Sequence, residues 1–245
     1  MSGAIVGIDT ATSSTSVAVL VPGGREVERR DDPSREERPR HAETLQPLLE
    51  QALVQAEVGW KDVTRICVGV GPGGFTGLRL GISTARALSQ GHDLPLVGVS
   101  SLEALARGIE LVSAQELDLP GHPDVHGPVL AVIDARRGEV FTAAYRHHRT
   151  TMEPIAITPA ELAERLAARR EWGRSPMLAI GDGAVRFRAE LERAGVAVPS
   201  DGSRVHRVSA LMICRLGRAR DPVDRDALLP DYRREPDAVP PPPPT

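Results

Sequence analysis

Residues 65–81 read Arg65-Ile66-Cys67-Val68-Gly69-Val70-Gly71-Pro72-Gly73-Gly74-Phe75-Thr76-Gly77-Leu78-Arg79-Leu80-Gly81, and the rest of the chain is organised around them. The apolar run Ile66 to Val70 has the length of a buried strand and stops at Gly71-Pro72-Gly73-Gly74, which no strand or helix interior tolerates. A tight turn must follow. Thr76 then reads as the N-cap of a helix from about Gly77 to Gln90, whose small residues Gly77, Gly81, Ser83, Ala85 and Ala87 invite a close neighbour. A glycine turn opening a helix offers backbone N–H groups and the positive end of a dipole to an anion. Equally, glycines simply permit the turn and tight packing. The loop lacks the Lys-Ser/Thr ending of a P-loop, so any phosphate here would rest on backbone alone.

Upstream, Ala4 to Ile8 is a short strand ending in Asp9-Thr10-Ala11-Thr12-Ser13-Ser14-Thr15-Ser16, after which Val17 to Val21 returns as a second strand. Asp9 and Thr10 sit where a carboxylate could hold a metal-bound water or phosphate oxygens, and they are also ordinary turn formers. Arg25 to Arg40 is highly charged with two prolines and reads as an exposed, mobile loop. From His41, the spacing Leu45, Leu48, Leu49, Ala52, Leu53, Ala56 predicts an amphipathic helix in which Pro47 fits only near the first turn. Strands alternating with helices predict an α/β layer.

Downstream, Ser100-Ser101-Leu102-Glu103 reads as a capped helix start, and the polar stretch 113–128, with His122 and His126, as a loop rather than a metal site. Val129 to Ile133 is a strand ending in Asp134. A turn, Ala135-Arg136-Arg137-Gly138-Glu139, and a returning strand to Tyr145 repeat the pattern of residues 4–21. The chain has begun again. A helix from Thr158-Pro159 to about Arg170, a strand at 177–180, a helix from Gly181-Asp182-Gly183-Ala184 through Leu191 and a last helix over His206 to Leu216 complete the reading. This gives lobe I as residues 1–100, lobe II as 101–205, a helix near 206–220 returning to lobe I, and a disordered proline-rich tail at 235–245.

At 245 residues and 41% hydrophobic, the chain can bury a sizeable core. A net charge of −3, with Lys61 the one lysine among 30 Lys and Arg, gives no electrostatic case for general nucleic-acid affinity. No apolar run approaches the roughly 20 residues of a membrane span and no signal peptide is recognisable, so the expectation is a cytoplasmic protein. Cys67 and Cys214 fall in apolar patterns and read as buried reduced thiols.

Two halves that each open with strand, Asp, turn and strand resemble the two-lobed actin-like fold, a duplicated ribonuclease-H-like unit shared by actin, sugar kinases and heat-shock ATPases. More narrowly, Gly71-Pro72-Gly73-Gly74-Phe75-Thr76-Gly77-Leu78-Arg79-Leu80-Gly81 resembles the signature of the bacterial TsaB (YeaZ) family, departing at Gly74, where serine is usual. Ile8 to Thr12, His41 to Pro47, Ile133 to Phe141 and Pro230-Asp231-Tyr232-Arg233-Arg234 extend the likeness over nearly the whole chain.

The resemblance implies a noncatalytic subunit needed to form N6-threonylcarbamoyladenosine at position 37 of tRNAs reading ANN codons. It would bind a TsaD-like catalytic subunit and act with a TsaE-like ATPase, meeting tRNA only through the complex and also pairing with itself. It would have no cofactor of its own, ATP and threonylcarbamoyl-adenylate being used by the wider complex. Helices at about 42–56 and 77–90 become the expected partner surface, through His41, Leu45, Leu48, Leu49, Leu78, Gly81, Ile82 and Ala85. Catalytic relatives carry a His-x-x-x-His metal pair where this chain has Ser101 and Leu105, so no metal is expected. The competing reading is an ATP-dependent kinase or hydrolase of the same fold, with Asp9, Thr10, Gly71, Gly73, Gly74, Thr76, Asp134, Gly181 and Gly183 around the nucleotide. A peptidase is disfavoured, because Ser83, Ser89, Ser100 and Ser101 lack a recognisable His/Asp arrangement.

Overall fold

The structure, a computed structural model, describes residues 3–113, 117, 127–168 and 177–233. His122, His126 and the tail 235–245 lie outside the described residues. The first sheet is built from β1 (Ala4–Asp9), β2 (Thr15–Leu20), β3 (Glu26–Asp31), β4 (Val63–Gly71) and β5 (Leu96–Ser100), in the order β3-β2-β1-β4-β5. β1 pairs antiparallel with β2 and parallel with β4, while β3 is antiparallel to β2 and β5 parallel to β4. The second sheet, from β6 (Val129–Arg136), β7 (Glu139–Arg146), β8 (Arg149–Ile157) and β9 (Leu178–Ile180), runs β8-β7-β6-β9 with the same senses. The order β8-β7-β6-β9 matches β3-β2-β1-β4 strand for strand, β5 having no counterpart among the described residues, with Asp9 and Asp134 at corresponding positions. This duplication makes the chain a two-lobed actin-like α/β protein.

β1 is buried on both faces, as its unbroken apolar run requires. On one face of the first sheet lie α1 (His41–Ala56) and α2 (Phe75–His92); on the other lies α7 (Ala210–Gly217), packed on β1, β2 and β4. α3 (Ser101–Arg107) is wedged between α7 and the second sheet, so one core cluster runs continuously from Cys67 and Cys214 to Ile133 and Phe141. α4 (Pro159–Ala168), α5 (Asp182–Arg186) and α6 (Arg188–Arg193) complete lobe II. Both cysteines are free and buried, and burial pushes the Cys67 thiol up to about 12. Among the described residues no helix is long and apolar enough to cross a membrane.

Several local expectations need correction. The charged stretch after Arg25 is not a loop throughout: Glu26–Asp31 pairs residue by residue with β2 and buries Val27, the charges marking it as an edge strand. Pro47 lies inside α1, well past its first turn, on the exposed face. α2 begins at Phe75, because Leu78 N–H already donates to Gly74 O, and its N-cap is Gly74, which has no side chain to cap with. The helix from Asp182 breaks at Phe187, and the last helix starts at Ala210, capped by Ser209 accepting from Met212 N–H. β8 carries Pro154, tolerable because the strand is an edge.

Candidate functional site in the cleft between the lobes

Between the lobes lies a cleft of about 950 Å3. One wall is formed by Ala11, Thr12 and Ser13 after β1 and by Gly73 to Gly77 at the start of α2. The facing wall is Asp134 to Arg137, at the tip of the β6–β7 hairpin, with Phe141 and Asp182. Arg38 and His41 lie on one flank and Asp231, Tyr232 and Arg233 close the mouth.

The lobe I residues expected to handle a ligand are engaged within the chain. Asp9 is 1% exposed, and its Oδ1 accepts from Ala11 N–H at 3.0 Å and its Oδ2 from the Ser101 hydroxyl at 2.7 Å. Ser101 Oγ in turn accepts from Gly71 N–H at 3.2 Å. These bonds tie the ends of β1 and β4 to the start of α3. Gly69 permits the arrangement, since a Cβ there would lie 1.9 Å from Asp9 Oδ2. Burial pushes the Asp9 carboxyl above its ordinary range, against the lowering effect of the Ser101 and Ala11 bonds. The Thr10 hydroxyl donates to Gly77 O at 2.8 Å. Gly71 is buried, and Gly73 lies so close to Ala11 that a Cβ would sit 2.2 Å from Ala11 O. Gly74 N–H donates to Ala11 O at 2.7 Å, leaving Gly74 and Thr76 at the exposed lip.

In lobe II, Asp134 Oδ2 pairs with Arg186 at 2.7 Å and Oδ1 accepts from Arg136 N–H at 2.9 Å. Asp182 accepts from the N–H groups of Asp134 at 3.0 Å and Gly183 at 2.9 Å. Gly181, with φ +116, lies against Val132 O and donates to His206 Nδ1, so Gly181 and Gly183 serve close packing on β6 rather than the cleft. His206 Nε2 lies 3.2 Å from Pro199 O, which fixes a neutral ring whose pKa burial lowers.

Burial, together with the Asp134 charge, raises Asp182 from 3.8 to about 6. Between those values the unfolded chain is ionised and the folded chain protonated. The stability from this group is therefore fully present below the lower value and lost as pH rises through the upper one. Asp182→Asn keeps an acceptor and removes the charge. It is expected to stabilise by about 1–2 kcal/mol near pH 8 and by almost nothing near pH 4. Thermal melts at the two pH values check this, and an equal shift at both would contradict it.

The expected partner residues require the largest correction. Leu45 (3% exposed), Leu49, Leu78, Ile82 and Ala85 are buried against the first sheet, and only Leu48 is half-exposed. His41 is buried too, its Nδ1 2.8 Å from Thr15 Oγ1. Gly81 abuts Thr10, where a Cβ would lie 2.2 Å from Oγ1. Of the small residues of α2, Gly77 and Gly81 face this chain's own β1 turn, whereas Ser83 and Ala87 are exposed. What the helices leave exposed is Val54, Phe75 and Ala87, with Leu80 and, of the expected residues, Leu48 half-buried at the edge of the core.

The cleft mouth is not legible in the sequence. The Phe75 and Tyr232 rings stack with centroids 5.4 Å apart, Arg79 lies 3.8 Å over the Phe75 ring, and Arg79 Nε donates to the Tyr232 hydroxyl at 3.0 Å. No periodicity links positions this far apart; the available signal is an aromatic residue directly after a glycine turn. Among the described residues no group of three or more His, Cys, Asp or Glu side chains could hold a metal ion.

A family model described as TsaD, tRNA N6-adenosine threonylcarbamoyltransferase, matches residues 35–180. The tRNA threonylcarbamoyladenosine biosynthesis protein TsaB of Escherichia coli is 35% identical over 142 residues, 58% of this chain and 54% of that protein. That of Bacillus subtilis is 28% identical over 196 residues, 79% and 80% of the two chains. This chain thus spans about half the length of the Escherichia coli relative and most of the Bacillus subtilis one. The solved structure of YeaZ from Pseudomonas aeruginosa aligns with a TM-score of 0.72 at 24% identity, covering 94% of this chain and 99% of that one, and shares its fold. With the glycine turn, the paired Asp-ended strands and these matches together, the chain belongs to the TsaB (YeaZ) family.

Proposed function

We propose that the chain is a noncatalytic subunit of the machinery forming N6-threonylcarbamoyladenosine at position 37 of tRNAs reading ANN codons. It binds and supports a TsaD-like catalytic subunit and acts with a TsaE-like ATPase, and it has no cofactor of its own. The observation that carries this is the state of Asp9: both oxygens are satisfied within the protein, under Gly69 and behind 1% exposure. A carboxylate so placed holds strands together and reaches no substrate. Thr10, the next polar side chain, is spent on Gly77 O.

The partner surface on this reading is the outer face of α1 and α2. Leu80, Thr84 and Leu88 recur at helical spacing along α2 and are only half-buried, beside exposed Ala87. Leu48 on α1 is likewise half-buried and Val54 is 77% exposed. Leu80→Glu should leave the melting temperature within a few degrees and weaken capture of a TsaD-like subunit by about tenfold or more, the scale of a buried interface anchor. Unchanged capture by Leu80→Glu and Leu48→Glu would exclude this face as the partner surface. Omitting the chain from a reconstituted threonylcarbamoyl-transfer reaction should stop tRNA modification. Hydrolysis of ATP at a substantial rate by the isolated chain would instead favour the kinase or hydrolase reading.

A further inference from the structure

The segment after α7 does not end where lobe I is complete. Arg65 holds the carbonyls of Gly217 and Arg220, Val223 N–H donates to Leu96 O at the free edge of β5, and Arg86 holds the carbonyl of Leu228 at 2.5 Å. Leu228 is 5% exposed in the lobe I core. That anchor fixes the direction of the next five residues. Leu229 is 69% exposed, and Asp231 N–H then donates to Val70 O at 2.8 Å, beside the glycine turn. Tyr232 is held by the Phe75 ring and by Arg79 Nε. Arg233, paired with Asp231 at 2.7 Å, donates from Nη1 to Pro154 O at 3.3 Å, on β8 of lobe II. Within three residues the chain passes from a bond with lobe I to a bond with lobe II, across the mouth of the cleft that the same residues line.

We propose that Asp231, Tyr232 and Arg233 form a latch that ties the two lobes across the cleft mouth and sets how widely the cleft opens. Three features make it a latch and not a static clamp. Its holding groups are peripheral, with Phe75 and Tyr232 each 44% exposed, so releasing them opens no core. The lobe II attachment is a single hydrogen bond, from Arg233 to Pro154 O, that water can replace, whereas the strap behind the latch is secured at Leu228 and by Arg86. The lobe I attachment is also the first turn of α2, so movement of the latch and of the wall formed by Gly74 to Gly77 is coupled through Phe75 and Arg79.

The test is hydrogen exchange followed by mass spectrometry on the full chain, comparing wild type with Tyr232→Ala and Arg79→Ala. Tyr232→Ala removes both the stack on Phe75 and the hydrogen bond from Arg79, whereas Arg79→Ala removes the hydrogen bond and leaves the stack; losing both should favour opening by about tenfold and losing the bond alone by less. Faster exchange is expected on both cleft walls, residues 11–13 and 134–137, with the double variant no faster than Tyr232→Ala alone. Tyr232→Phe, which like Arg79→Ala keeps the stack and loses the hydrogen bond, should resemble Arg79→Ala and fall between wild type and Tyr232→Ala. A second measurement stands apart from exchange: spin labels at Glu50 on α1 and Arg165 on α4, both exposed, should report a longer and broader interlobe distance in Tyr232→Ala. Exchange that rises only within 229–233, or an unchanged interlobe distance, would overturn the proposal.

Discussion

Replacing Gly81 by glutamate is expected to unfold the chain, and even Gly81→Ala should cost about 2–4 kcal/mol, because the helix must back away from β1 and lose the Thr10 to Gly77 hydrogen bond. The added Cβ would lie 2.2 Å from Thr10 Oγ1, an atom held in place by that bond. Gly91, near the end of the same helix, provides the control, since nothing lies within 4 Å of a Cβ placed there. Gly91→Ala should stabilise by about 0.5–1 kcal/mol through reduced unfolded-state entropy and better helix propensity. Chemical denaturation of the two variants measures the contrast directly. Similar effects of both would mean that α2 does not pack on the β1 turn as described. A loss of partner binding in a Gly81 variant would then report unfolding rather than a damaged contact surface.

The second large effect is expected at the junction of β1, β4 and α3. Ser101→Ala removes the group that both donates to Asp9 and accepts from Gly71 N–H, leaving two buried polar atoms unpaired at a cost of about 2–4 kcal/mol. Asp9→Ala strands the Ser101 hydroxyl and Ala11 N–H and should cost a similar amount. Because both substitutions break one network, the double variant should be much less destabilised than the sum of the two. Additive losses would show that Asp9 and Ser101 act separately.

Much of the fold is legible in the sequence because it rests on local pattern. Unbroken apolar runs ending in Asp9 and Asp134 signal buried central strands, and their repetition signals the duplication. The glycine turn locates α2 within two residues. The features that escape the sequence depend on partners distant along the chain. β3 reads as a charged loop until β2 is seen to supply its hydrogen-bonding neighbour and α7 is seen to use Glu28, which accepts from Ser209 and Leu211. The recurrence of Leu45, Leu49, Leu78, Ile82 and Ala85 does mark helical faces. A period tells which residues share a face, though, and not whether that face meets this chain's own sheet or another molecule. The same limit applies to Gly77 and Gly81, whose small size serves an internal close approach. In the sequence Ser101 reads as part of a capped helix start and as a position lacking a metal ligand. Its use as the bridge between Asp9 and Gly71 requires three segments to be brought together in space. Tyr232 and Arg233 belong to a terminal motif, but their place at the cleft mouth depends on the path of the strap around β5 and α2.

Whether Asp9 works as a structural joint or as a reacting group decides between a subunit and an enzyme. The measurement is the rate of tRNA threonylcarbamoylation in a reconstituted reaction containing the Asp9→Asn chain, at a concentration where thermal melting shows it folded and capture shows it fully bound to the TsaD-like subunit. Asparagine keeps an oxygen for one of the two donors, so the predicted rate lies within about threefold of wild type, a loss of under ~1 kcal/mol in barrier terms. A rate lower by about a hundredfold or more, with folding and partner binding intact, would place Asp9 among groups that stabilise a transition state and contradict the noncatalytic assignment.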